Sequence, residues 1–174
     1  MSAWTVIAHA EVPSGGQLGI EFTSIPQTYT DLLVLLSLRN EGAEEHILIS
    51  FNGSSSNFSG RFLAGIGTSV SSSTYARYLG NQMPSGAPSN TFGNAIVYIP
   101  NYTGSTNKSF SSDASGWTGD SSRFTNVITA GLWSVTDAIT SVKFEPEAAS
   151  DWAQYSSATL YGILKGSSGG VSVS

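Results

Sequence analysis

The segment Phe22 to Asn40, FTSIPQTYTDLLVLLSLRN, limits the fold more than any other part of this 174-residue chain. Ile20 and Phe22 alternate with Glu21 and Thr23, the period of two of a strand. Pro26 has no N–H and holds Ile25 extended, so Ile25-Pro26-Gln27 is a crossover between strands and not a helix interior. Leu32 to Leu36 is apolar without a break, which predicts a central strand covered on both faces. Leucine is a good helix former. The shortness of the run, the proline before it and the strands around it nevertheless predict a strand.

The rest of the chain repeats this grammar. Trp4, Val6, Ala8, Ala10 and Val12 alternate with Thr5, Ile7, His9 and Glu11, a half-buried first strand. Pro13-Ser14-Gly15-Gly16 is turn chemistry. Further strands are predicted at Leu18 to Thr23, Asp31 to Arg39, Ile47 to Phe51, Arg61 to Ile66 and Thr91 to Ile99. Lys108 to Asp113, Arg123 to Trp133, Ile139 to Phe144 and Ala158 to Leu164 follow. In the eighth, Phe124, Ile128, Ala130 and Leu132 share one side. Gly67 to Asn90 reads as a long Ser/Gly/Pro loop, and loops of that length are often functional. Nine or ten short strands without a helix predict an all-β fold, an antiparallel β-sandwich of jelly-roll type. Residues 1–165 form one domain, and 166–174 a Ser/Gly-rich C-terminal tail.

Composition narrows the function. Charged residues make up 11% of the chain, far below the usual quarter, while hydrophobic residues reach 40%. That is enough for a core, under a surface built from hydroxyls. The net charge is −5, and the seven basic residues stand singly, so no stripe exists to neutralise phosphates and no nucleic-acid partner is expected. Glu41, Glu44 and Glu45 form the one charge cluster, read as a solvated loop. There is no cysteine, hence no disulfide and no thiolate metal site. No basic stretch precedes an apolar one at the start, and no apolar run is long enough for a bilayer, so neither secretion signal nor membrane partner is expected.

Little in the chain suggests chemistry. His9 and His46 lie near no nucleophile-elbow pattern and form no zinc-binding pair. Glu145, Glu147 and Asp151, or Asp113 and Asp120 around Trp117, are the acids from which a glycosidase pair would come. Acids in such loops more often cap their own backbone. Calcium spacing and a phosphate-binding loop are missing. We therefore expect no enzyme, cofactor or metal. Tyr75, Tyr78, Tyr102, Trp117, Trp152 and Tyr155 fall in predicted loops and are the candidate contacts for a partner or a glycan. The alternative for these rings is to pin loops to the sandwich or to be buried between subunits. Four N-x-S/T sequons, at Asn52, Asn57, Asn101 and Asn107, are expected by chance in so Ser/Thr/Asn-rich a chain.

Ser24-Ile25-Pro26-Gln27-Thr28-Tyr29-Thr30-Asp31-Leu32, followed by an apolar strand ending in Arg39, resembles a phrase of tailed-bacteriophage virion proteins. Ser157-Ala158-Thr159-Leu160-Tyr161-Gly162-Ile163 is similar to the short strand that ends many of them. The resemblance implies a virion structural protein, assembled in the host cytoplasm and released by lysis. Its first implied role is a capsid decoration, or cement, protein. Such proteins are β-rich and often homotrimeric, so the implied partners are the major capsid protein and copies of this chain. The second is a receptor-binding or fibre-tip domain recognising host-surface glycan, and a small carbohydrate-active enzyme is the third. The first strand begins at the initiator Met with no stalk before it, which favours decoration. Met1 to Ala3 and Gly166 to Ser174 are candidate docking arms.

Overall fold

The computed structural model describes residues 4–43, 46–117, 124–148 and 150–164. The expected arms at 1–3 and 166–174 lie outside these residues, as do Glu44 and Glu45 of the acidic cluster and Asp120. Twelve strands are present among the described residues, and no helix. They are β1 (Trp4–Glu11), β2 (Ile20–Phe22), β3 (Asp31–Leu38), β4 (His46–Phe51), β5 (Phe58–Ile66), β6 (Ser69–Thr74), β7 (Tyr78–Asn81), β8 (Gly93–Ile99), β9 (Lys108–Trp117), β10 (Phe124–Trp133), β11 (Val142–Pro146) and β12 (Ser157–Ile163).

All are antiparallel and lie in two sheets, ordered β1-β12-β3-β8-β9-β10-β5-β6 and β2-β11-β4-β7. The pairings β1 with β12, β2 with β11, β3 with β8 and β4 with β7 are nested, outermost strand with outermost strand. Such a nest is a long hairpin, and dividing its pairs between two sheets rolls it up. This is the jelly roll the strand pattern predicts. Two hairpins are added to it. The β5–β6 hairpin interrupts the link from β4 to β7, and β9–β10 interrupts the link from β8 to β11. Pairing of β10 with β5 joins them, which widens one sheet from four strands to eight. The strands beyond the expected ten are β6, in the first of these hairpins, and β7, which belongs to the jelly roll.

The core lies between the sheets. Leu32, Val34, Leu36, Val97, Ile99 and Leu160 of the large sheet face Ile20, Phe22, Ile47, Ile49, Val142 and Phe144 of the small one, all buried. Phe51 sits among the rings of Phe58, Phe110 and Trp133, with centroids 5.4–5.9 Å away. Under the added strands, β7 supplies the cover, as Tyr78 packs on Ala64, Val127 and Phe62. Gly80 lets β7 come close. Its φ is +133°, and a Cβ there would meet Ala114 Cβ at 2.3 Å. Lys108 is fully buried at the start of β9, and its ammonium donates to the carbonyls of Gly104 (2.6 Å), Thr106 and Thr136 (3.2 Å).

Three expectations are corrected here. The Gly67 to Asn90 stretch is not one loop, since it contains β6 and β7. Its remainder is tied down by Arg39, whose guanidinium donates to the carbonyls of Ser85, Ala87, Pro88 and Thr91 at 2.9–3.1 Å. The first strand does not alternate throughout. A bulge between Val6 and Ala8 resets its register, so Trp4 and Val6 point outward while Ala8 and Ala10 point inward. Finally, β3 is fully covered on one face only, and on the other Leu33 is buried while the next outward residue is not. Leu35 points away from the core and is exposed. The unbroken apolar run marks a bare apolar face, not a second covering layer.

Candidate functional site

That bare face is the feature of the molecule with the clearest capacity for interaction. Strand register places its side chains in rows that cross all eight strands. One row runs His9, Thr159, Leu35, Ile96, Asp113, Ile128, Leu63, Ser72. The next runs Val6, Tyr161, Leu33, Tyr98, Ser111, Ala130, Arg61, Thr74. Leu63, Ile96 and Ile128 are 51%, 49% and 55% exposed. Tyr98 is fixed in place, since its hydroxyl donates to Asp31 Oδ2 at 2.9 Å. Burial and then the neighbouring Asp31 carboxylate raise its pKa above the usual phenol value, which keeps it a proton donor.

Strand β10 shows the pattern most sharply, because it is apolar on both sides, with Val127 and Trp133 in the core. Thr125 and Thr129 point into the sandwich and are buried, at 2% and 1% exposure. Phe124, Ile128 and Leu132 point out. The sequence places Phe124, Ile128, Ala130 and Leu132 on one side, and the structure shows that side to be the solvent side. Taking roughly 200 Å² for a large side chain in full solvent, Val6, Leu35, Leu63, Ile96, Tyr98, Ile128 and Leu132 expose on the order of 600 Å². That is the top of the range of about 300–600 Å² found for the largest patch on a monomer.

The six aromatic residues chosen from sequence do not gather into one site. Trp152 is 0% exposed and donates its indole N–H to the Phe144 carbonyl at 3.2 Å. Tyr102 is buried in the main core, and its hydroxyl donates to the Pro26 carbonyl. Tyr78 and Trp117 are not in loops. The first is on β7, with its hydroxyl donating to Asn81 Oδ1, and the second ends β9, packed on Met83 and Ala87. Tyr78, Tyr102 and Trp152 offer no free face for a sugar to stack on, and Trp117, nearly buried, lines a small cavity of about 160 Å³ with Met83, Pro88, Thr91 and Phe124. A large ring flanked by Ser and Gly looks like an exposed binder in sequence, yet in a charge-poor chain it is also the cheapest way to fill a gap under a loop. Tyr75 is half-buried, and Tyr155 is 61% exposed.

A second, charged feature lies on the small sheet. Arg77 and Lys143 both donate to Glu145, at 2.9 and 2.6 Å. Beside them His46 and the hydroxyl of Tyr75 donate to opposite oxygens of Glu147. Leu18, Leu48, Pro146, Ala148 and Ser150 complete a cavity of about 320 Å³. Burial would raise the Glu145 pKa, but the hydrogen bonds and charges of Lys143 and Arg77 outweigh it and hold the carboxyl below its ordinary value. An acid kept ionised by two cations does not donate a proton near neutrality, whereas a glycosidase acid needs the opposite shift. Among the described residues no group of three His, Cys, Asp or Glu is placed to hold a metal ion. Among these residues no helix is long and apolar enough to cross a membrane.

Comparison with family models, with curated proteins and with solved structures returned no match. The bare face went unseen in sequence because an apolar alternation shows that one side differs from the other, not which side meets the core. One signal did exist. Val127 and Trp133 alternate with Ile128 and Leu132, so both sides of β10 carry large apolar residues and one core cannot cover both.

Proposed function

We propose that this chain is a structural protein of a tailed-bacteriophage virion that works by adhesion, with decoration of the head exterior as its role. The observation that carries this reading is the outer face of the eight-stranded sheet, where Leu35, Leu63, Ile96, Ile128 and Leu132 are exposed to solvent. Such a surface is stable in water only at a cost, and contact with another protein removes that cost. Copies of this chain and the major capsid protein are the proposed partners. The phrases shared with phage virion proteins supply the virion context. They meet in space, because β3 pairs with β12 along its whole length and Thr30 N–H donates to the Ile163 carbonyl at 2.8 Å. Burial of Tyr78, Tyr102 and Trp152 removes half of the rings on which a glycan-binding fibre tip would depend, which supports decoration as the stronger reading.

The test is the heat stability of heads assembled with and without this chain, followed by release of packaged DNA. Heads lacking it are expected to open at lower temperature, and coincident transitions would remove the decoration role.

A further inference from the structure

We infer that a second copy of this chain packs by a two-fold axis against the outer face of the eight-stranded sheet, with Asp113 of each copy against Arg61 of the other. The inference deepens the adhesive reading, on which it rests, by naming what covers the face.

Two properties of the face select this occupant. The first is charge. The central strands β8, β9, β10 and β5 carry one acid and one base on this side, Asp113 and Arg61, both exposed and neither ion-paired among the described residues. The chain as a whole has a net charge of −5, so its excess negative charge lies elsewhere. Asp113 stands between Ile96 and Ile128, and any apolar partner covering the isoleucines would bury an unpaired carboxylate, at high cost. A second copy brings the missing cation. Asp113 and Arg61 lie two strands and one row apart, about 12 Å by strand spacing and rise. A two-fold axis in the plane of contact, crossing β10 between Ile128 and Ala130, exchanges the two positions. Each copy then supplies one acid and one base, and two ion pairs form.

The second property is area. A stable interface needs roughly 800 Å² from each partner, about a tenth of a small protein's surface. The accessible surface here is 8786 Å². The apolar side chains within reach of this axis, Leu63, Ile96, Tyr98, Ile128 and Leu132, supply about half of that tenth, and Ser109, Ser111, Ser115 and Asn126 between and beside them supply a polar remainder without further charge. Strand β10 lies under the axis, so its outward Ile128 and Leu132 come closest to the second copy.

The experiment is sedimentation equilibrium of the full chain over roughly 1–100 μM, which reads micromolar dissociation constants. The wild type is expected at twice the chain mass. Asp113→Arg and Arg61→Asp each bring like charges together and weaken association at least tenfold, and the double exchange restores it. Circular dichroism checks that each variant is folded, and Ile128→Lys gives an independent break in the same contact. A monomer at every concentration, a trimer, or a dimer indifferent to all three substitutions would overturn the inference. Binding to heads is scored separately. A monomeric chain that decorates heads rejects this pairing and keeps the adhesive role, while a charge-dependent dimer that never binds heads does the reverse.

Discussion

The ring of Tyr29 lies flat against Gly162, so close that a Cβ added to Gly162 would fall 2.3 Å from Tyr29 Cγ. This contact joins the two segments on which the proposed virion role draws, Ser24 to Leu32 and Ser157 to Ile163. Tyr29 belongs to the crossover after Pro26, and Gly162 to the last strand. The crossover is held further by Gln27, whose amide donates to the carbonyls of Ile25 (2.9 Å) and Ile139 (3.0 Å). Gly162→Ala is therefore expected to destabilise the fold by about 1–3 kcal/mol, the usual cost of overfilling a packed site. Thermal unfolding checks this, and Tyr29→Ala in the same chain should recover part of the loss by vacating the space.

Trp152 closes one end of the sandwich. Its backbone bridges to Gln17 and Asn40, and its fully buried indole reaches Phe144. Trp152→Ala should cost about 3–5 kcal/mol, the range for removing a large core ring. Tyr155→Ala, three residues on and exposed, should leave denaturant stability within about 0.5 kcal/mol.

Arg39 holds four carbonyls with one planar fork. A lysine has three donors on a point charge and cannot match that geometry. Arg39→Lys should free the segment from Ser85 to Thr91, seen as faster amide hydrogen exchange there while β3 and β8 stay protected. Unchanged exchange in that segment would show that the fork is dispensable.

Glu145 sets an acid limit. Its folded pKa lies below the ordinary value of 4.5, so its contribution to stability is fully present above that value and is lost as pH falls through the folded pKa. The melting temperature should therefore fall below about pH 4.5. In Glu145→Gln the acid fall should be shallower, from a lower plateau at neutral pH. Equal slopes in the two proteins would contradict the assignment.

The jelly roll was legible in the sequence because its strands alternate and its turns carry Pro, Gly and Asn. Phe22 to Asn40 predicts β2, the crossover and β3 closely. Strands β6 and β7 were harder. Ser69 to Thr74 is almost all serine and forms β6 only because β5 offers it a free edge, a tertiary cause invisible to local pattern. The interaction face was legible as alternation but not in direction. Leu32 to Leu36 looks the same whether its second side meets another layer of this chain or a layer from elsewhere. Trp117 and Trp152 misled for a related reason, since burial by a distant loop leaves no trace near the ring.

The central claim is that the outer face of the large sheet is exposed in the folded chain and covered in its working state. Ile128→Lys, studied by sedimentation and by thermal unfolding of the same sample, tests both halves together. The account predicts a folded monomer whose chemical stability lies within about 0.5 kcal/mol of the dissociated wild type, as expected for an exposed site. Loss of folding, or association as strong as that of the wild type, would contradict it.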